Sequence, residues 1–319
     1  MQRVRTDAPL VLQLAPIGSL ADQGLREEFA AVRLWEQADA EAWLAAHGAE
    51  VTCVATSVRR GCDAALIAAL PALRAISSWG VGFETIAMDA AHARGIQVAN
   101  TPDVLDDCVA DLAWALMLAA ARRIGAADRY VRDGHWRALG EFPLSTRVSG
   151  KRLGVLGLGR IGAAIARRGQ GFAMEVRYHG RAPRPDTSYG FEPSLMALAE
   201  WSDFLIVACP GGPQTRHLVS ASVLEALGPR GILVNIARGS VVDQAALIRM
   251  LEEGRLGGAG LDVLEGEPGA PAALRTCDDV VLTPHVGSAT RETREAMERL
   301  VLDNLHAFLR TGRVLTPVR

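Results

Sequence analysis

Three short segments hold the side chains best suited to move a proton. Asn235-Ile236-Ala237-Arg238-Gly239-Ser240 carries an Arg, and Leu261-Asp262-Val263-Leu264-Glu265-Gly266-Glu267-Pro268 carries acids. Leu282-Thr283-Pro284-His285-Val286-Gly287-Ser288 carries a His. An imidazole titrates close to neutral pH and can serve there as general acid or base. A neighbouring carboxylate favours its charged form, and a guanidinium stabilises negative charge that grows in a transition state. Each segment alone is weak, since a His after Pro in a loop is more often structural. As an ordered set they suit acid–base chemistry.

A fourth segment precedes them. Gly157-Leu158-Gly159-Arg160-Ile161-Gly162 fits G-x-G-x-x-G, between an apolar run at Arg152–Leu156 and a helical run at Ala163–Arg168. In that context Gly157 permits a tight turn, Gly159 lets a pyrophosphate approach the backbone, and Gly162 lets helix and strand pack closely. The helix start offers free N–H groups to phosphates. About 20 residues on, a ribose-binding acid is the usual feature of an NAD site. Here that place holds His179-Gly180-Arg181, with Arg184 beyond Pro183. An acid would repel a 2′-phosphate and a guanidinium clamps one, so NADP(H) is favoured, with NAD(H) the alternative.

These segments must be positioned by elements. Strand-length apolar runs alternate with helical runs along the whole chain: Leu10–Leu14, Val51–Ala55, Ala75–Ser78, Val98–Asn100, Arg152–Leu156, Glu175–Tyr178, Phe204–Ala208, Ile232–Asn235, Gly260–Val263 and Val280–Thr283. Val109, Ala113, Leu116 and Ala120 show the 3.6-residue period of a helix face. Such alternation predicts α/β architecture with doubly wound parallel sheets, whose ligands sit at the carboxyl ends of the strands. The Arg, Glu and His segments each follow a strand and therefore converge there. The glycine loop lies halfway along, so the four strands before it form a separate unit. A helix at Glu292–Leu309 must bury its apolar face, and it packs back on that first unit. We expect a split domain (1–99 and 287–319) around an inserted nucleotide domain (100–286).

Composition narrows the function. The chain has 319 residues, 49% of them hydrophobic, which excludes disorder and suggests two domains. A formal charge of −2 gives no electrostatic case for nucleic acid or an anionic membrane. Lys151 is the only lysine, so the abundance of Arg reads as coding bias. Five scattered cysteines lack C-x-x-C spacing, which argues against a metal site or disulfides and for a reducing cytoplasm. Arg3 and Arg5 ahead of the run Pro9–Ile17 loosely imitate a signal peptide, but Gln13 interrupts it and an opening strand is expected. Leu112–Ala121 is too short to span a bilayer.

The sequence resembles the D-2-hydroxyacid dehydrogenases over essentially its whole length, and within them the NADP-dependent glyoxylate/hydroxypyruvate and hydroxyphenylpyruvate reductases. The likeness is carried by Ser78-Trp79-Gly80-Val81-Gly82, Asn100-Thr101-Pro102, the glycine loop, Tyr178–Arg181, Ala237–Asp243, Glu265–Pro268 and Pro284–Ser288. It implies a Rossmann-type nucleotide domain inserted in a flavodoxin-like substrate domain, and a homodimer built around the former. It implies reduction of small 2-keto acids to D-2-hydroxy acids. Carried over residue by residue, Arg238, Glu267 and His285 match the catalytic set, and Asp262 the residue that holds the nicotinamide carboxamide. Gly157, Gly159, Arg160, Ile161, Gly162, His179, Gly180, Arg181, Cys209, Pro210, Thr215, Ile236, Ala237, Arg238, His285, Gly287 and Ser288 match positions along the cofactor. Trp79, Val81, Gly82, Leu105, Arg238 and His285 match the substrate site, the amides of Val81 and Gly82 taking its carboxylate.

The resemblance further implies that domain closure excludes water from the reaction. Glu84 and Leu264 depart from the family pattern, where Asp and Phe are common; they read as a turn acid and a packing change. Trp79, Phe83, Trp136 and Phe142 either wall a pocket for aromatic keto acids or serve as core and interface residues. Two alternatives stay open at this level. One is an NAD-dependent relative acting on D-lactate or 3-phosphoglycerate, and the other a nucleotide-sensing binding protein on the same fold.

Overall fold

The computed structural model describes residues 10–318, so Arg3 and Arg5 lie outside the described residues. The chain forms two compact units: one runs to Leu105 and resumes at Ala289, and the other is Asp106–Ser288. The crossings fall slightly downstream of Asn100 and Gly287. The segment after Asn100 stays with the first unit because Thr101 donates its N–H to the Gly80 carbonyl at 3.0 Å.

The first unit contains β1 (Leu10–Gln13), β2 (Val32–Arg33), β3 (Val51–Ser57), β4 (Ala75–Trp79) and β5 (Gln97–Ala99). They pair in parallel in the order β2-β1-β3-β4-β5, the flavodoxin-like arrangement. One face buries Leu12, Val54 and Ile76 with Ile67 and Leu70. The other buries Val11, Ala55 and Ala75 against Leu25, Val301 and Leu305. The last two belong to the helix Arg291–Thr311, which Thr290 caps by accepting from the Thr293 N–H. The C-terminal helix thus closes the face of a sheet whose strands come from the first hundred residues.

The second unit contains β6 (Arg152–Leu156), β7 (Glu175–His179), β8 (Gly190–Phe191), β9 (Phe204–Val207), β10 (Ile232–Asn235), β11 (Gly258–Leu261) and β12 (Val280–Leu282). All pairs are parallel, in the order β12-β11-β10-β9-β6-β7-β8. Counted from β6 this is the Rossmann order with a seventh strand added. Strands β9, β10 and β11 are buried throughout, as a sheet covered on both faces requires. The helix Asp106–Ala121 packs on β10 and β11 so closely that a Cβ at Gly260 would meet that of Leu116 at 2.8 Å.

Sequence periodicity finds ten of these strands within a few residues of their ends and misses β2 and β8. Both are two-residue edge strands, too short to show alternation. The strand β11 also starts earlier than expected, at Gly258, because the residues facing the covering helix must be small and Gly-Ala-Gly reads as loop.

Candidate active site

Strand order reverses between β6 and β9, and the glycine loop leaves β6 at that point. Gly157 has φ +96°, and a Cβ there would lie 2.8 Å from the backbone of Cys209, just after β9. A Cβ at Gly162 would lie 2.0 Å from the Gly157 carbonyl oxygen, so helix and loop touch. At Gly159 a Cβ would meet nothing within 4 Å, and this glycine borders open space. It also starts the helix Arg160–Gly169, which no side chain caps. An uncapped helix start beside an open glycine fits the pyrophosphate of a dinucleotide. Arg160 lies on the first turn, its Nε 3.8 Å from an Asp106 oxygen.

The end of β7 fits the adenosine side. His179 donates from Nδ1 to the Glu192 carbonyl at 2.8 Å, which fixes Nδ1–H and leaves Nε2 as its second polar atom. Arg181 is exposed and makes no hydrogen bond or ion pair among the described residues. Arg184, weighed with it as a phosphate clamp, is committed elsewhere. Its Nη1 donates to the Leu158 carbonyl at 2.7 Å, and its guanidinium pairs with Asp186. It braces the glycine loop. On the other side, Thr215 donates to the Pro210 carbonyl at 2.8 Å. Burial pushes the Cys209 thiol up to about 11, so it stays protonated at neutral pH.

The three titratable segments leave β10, β11 and β12, which are adjacent. Buried Asn235 accepts from the Ala237 N–H and donates to the Arg238 carbonyl, both at 3.0 Å, and so shapes the turn carrying Ile236, Ala237 and Arg238. Glu267 accepts from the Leu264 N–H at 2.9 Å through one oxygen and from His285 Nδ1 at 2.8 Å through the other. His285 has φ +54°, a left-handed conformation uncommon for a residue with a Cβ. Two backbone bonds hold it there, from its N–H to the carbonyls of Asp262 and Thr283. Strain so overdetermined is common at functional sites.

Asp262 does more than its sequence pattern foretells. It is 2% exposed, and its carboxylate accepts from Thr283 Oγ1 at 2.6 Å and from the N–H groups of Val286 and Gly287 at 2.8 Å. It is therefore the organiser of the loop that presents His285, Gly287 and Ser288. Asn235 and Thr283 went unnoticed in sequence; the Asn two residues before Ala237, an Asx-turn spacing, was the available signal.

The first unit places Trp79, Val81 and Gly82 at the end of β4. Thr101 and Asn100 accept or donate to Gly80 and Val81, while the amides of Val81 and Gly82 donate to nothing among the described residues. Two adjacent unengaged N–H groups are what a carboxylate needs. The Arg294 guanidinium lies 4.4 Å from the Trp79 ring centre. Leu105 is buried at the end of this unit. Trp136 and Phe142 belong to the second unit, where with Tyr130 they line a surface hollow of about 380 Å³. Among the described residues no cluster of three or more His, Cys, Asp or Glu could hold a metal ion, and no helix is long and apolar enough to cross a membrane.

Comparison with known proteins shows which proteins the chain is similar to. Residues 114–287 match the family model for the D-isomer specific 2-hydroxyacid dehydrogenase NAD-binding domain. A glyoxylate/hydroxypyruvate reductase of Arabidopsis thaliana is 46% identical over 308 residues, covering 97% of this chain and 98% of that one. A hydroxyphenylpyruvate reductase of Plectranthus scutellarioides matches with the same identity and coverage. Among solved structures, an NADPH-dependent glyoxylate/hydroxypyruvate reductase of Sinorhizobium meliloti in complex with NADP and malonate superposes with a TM-score of 0.90. It is 44% identical, and the match covers 98% of this chain and 97% of that one.

Proposed function

The chain belongs to the D-isomer specific 2-hydroxyacid dehydrogenase family, and from that premise we propose that it reduces small 2-keto acids to D-2-hydroxy acids with NADPH. Glyoxylate and hydroxypyruvate are the proposed substrates, with hydroxyphenylpyruvate as the larger candidate. The observation that carries the reading is the 2.8 Å bond between His285 Nδ1 and Glu267 on loops following β12 and β11.

Reducing a carbonyl requires a hydride on carbon and a proton on oxygen. When bound, the dihydronicotinamide supplies the hydride. The chain supplies the rest. A carboxylate only accepts, so Glu267 keeps a proton on Nδ1 and makes Nε2 the atom that gives up a proton to the carbonyl oxygen. The ring reacts as the imidazolium, protonated at both nitrogens, and is left neutral with Nδ1–H in place. Arg238 binds the substrate carboxylate and stabilises negative charge on the carbonyl oxygen. In the first unit, the amides of Val81 and Gly82 are the groups suited to a carboxylate. Gly157, Gly159 and Gly162 with the first turn of Arg160–Gly169 would hold the pyrophosphate. Exposed Arg181 beside His179 and Gly180, with no acid at that strand end, would take the 2′-phosphate.

The reading extends to assembly and compartment. Ile124, Val131, Trp136, Leu139 and Leu144 are exposed within one stretch of the second unit, and a second copy of this chain would cover them in a homodimer. All five cysteines are free, which suits the cytoplasm. The test is turnover of glyoxylate, hydroxypyruvate and hydroxyphenylpyruvate with NADPH and with NADH. Turnover of none of the three by a folded protein that binds NADPH overturns the proposal in favour of nucleotide sensing.

A further inference from the structure

The last seven described residues of the chain run alongside the end of β5. Val318 donates its N–H to the Val98 carbonyl at 2.8 Å, and Pro317 bridges Ala99 in antiparallel sense. The anchor of this tail is Asn304, 0% exposed in the middle of the C-terminal helix. Its Oδ1 accepts from the N–H groups of Leu315 and Thr316 at 2.9 and 3.0 Å. Its Nδ2 donates to the Leu300 carbonyl at 2.8 Å and to Thr316 Oγ1 at 2.9 Å. Every hydrogen-bonding site of this amide is filled, which is what a buried amide requires.

The chain of bonds continues past the tail. The Thr316 hydroxyl has one hydrogen, and its short bond, 2.6 Å, goes to the Asn100 carbonyl. Asn100, 9% exposed, in turn donates from Nδ2 to the Val81 carbonyl at 2.7 Å. Beside it Thr101 donates its N–H to the Gly80 carbonyl and accepts the Gly80 N–H at Oγ1, both at 3.0 Å. Gly80 has φ +116°, and a Cβ there would lie 2.9 Å from Val58 Cγ1. Gly80 and the Val81 carbonyl are thus committed to Thr101 and Asn100, and the Trp79 carbonyl accepts from the Val58 N–H at 3.0 Å, whereas the amides of Val81 and Gly82 donate to nothing among the described residues.

We propose that Asn304, Thr316 and Asn100 are positioning residues, a relay by which the C-terminal tail sets the loop Trp79–Gly82 so that its two unengaged amides match a carboxylate. The inference rests on the assignment of those amides to the substrate. None of the three residues touches substrate in it. Each acts by holding the next, and the hydroxyl of Thr316 is the side-chain joint between tail and loop, beside the backbone bond from the Asn100 N–H to the Thr316 carbonyl at 3.4 Å. Its removal leaves the Asn100 carbonyl without that donor and frees the Asn100 side chain to shift relative to Val81.

Thr316→Val keeps the shape and deletes the joint. Losing one buried bond of this kind is expected to raise KM for glyoxylate, and the inhibition constant of oxalate, about tenfold. KM for NADPH should stay at the parental value, and Thr316→Ser should restore the keto-acid KM. Asn100→Asp, which replaces the donor to Val81 with a second acceptor, should reproduce the defect and carries the test if Thr316→Val does not fold. Gly80→Ala distorts the loop without touching the relay. If Gly80→Ala raises the keto-acid KM and the relay variants do not, the relay is overturned and the loop assignment stands. If none of them moves it, the loop assignment itself is overturned. A lower melting temperature or kcat in Thr316→Val with unchanged KM makes the tail a stability element only and overturns the inference.

Discussion

At the scale of single residues, His285 is fixed from three sides: by two backbone bonds, by Glu267 and by a left-handed φ. Its substitution is therefore a clean probe of proton donation. His285→Ala is expected to lower kcat at least a hundredfold, the scale of general acid–base catalysis, while the Kd for NADPH changes little. A loss below threefold makes the ring structural. Arg238→Lys keeps charge and loses the planar fork, so KM for the keto acid should rise and kcat fall together, by about tenfold or more in kcat/KM. At the cofactor end, Arg181→Ala should remove most of a tenfold to hundredfold preference for NADPH, the worth of roughly one charge-assisted bond. Equal kcat/KM with NADPH and NADH in the parent refutes that preference. Sequence showed which residue types stood behind the glycine loop. It did not show that Arg184 is occupied by the Leu158 carbonyl, because that bond joins two segments 26 positions apart. Nor did it show that Asp262 gathers three donors from the loop after β12.

At the scale of elements, the parallel strands of the second unit were legible because burial on both faces demands continuous apolar runs. The short edges β2 and β8 were not, since two residues carry no period. Where strands are held end to end, side chains do the work. Asp203, just before β9, accepts from the Arg152 backbone N–H at 2.9 Å and from its side chain at 3.2 Å, joining the starts of β6 and β9. Burial raises the Asp203 carboxyl, but the Arg152 hydrogen bonds and the charges of Arg152 and Lys151 outweigh it and hold the group below the usual range. A carboxyl depressed in the folded state adds stability above its unfolded value, near 3.9, and loses it as pH falls through the folded value. Asp203→Asn should therefore lower the melting temperature by about 1–3 °C at pH 7, a surface-pair effect, with the difference closing towards pH 3. Thermal scans at the two pH values check this, and a gap that persists at pH 3 contradicts it.

At the scale of the whole molecule, the expectation of a split rests on one fact, the position of the glycine loop halfway along the chain. The destination of the last helix was readable only as an expectation, because nothing in its own residues names the strands it covers. The structure supplies them: Val301 and Leu305 pack with Val11, Ala55 and Ala75. A chain ended after Ser288 would lay that face bare, and each such side chain is worth about 1.5–3 kcal/mol when buried. Such a truncation is expected to aggregate or to lose the first unit to proteolysis, while protected fragments map to Asp106–Ser288. Intact, soluble, monodisperse truncated protein contradicts that expectation.

This arrangement also has a consequence in time. Synthesis runs from the N-terminus, and domains generally fold as they emerge. Here the first strands made are completed by the last helix made, so the first sheet must wait with one face open until some 180 intervening residues have left the ribosome. The inserted unit has no such dependence and can mature in the interval. The protein is thus born in the reverse of its written order, the middle finished first and the beginning last.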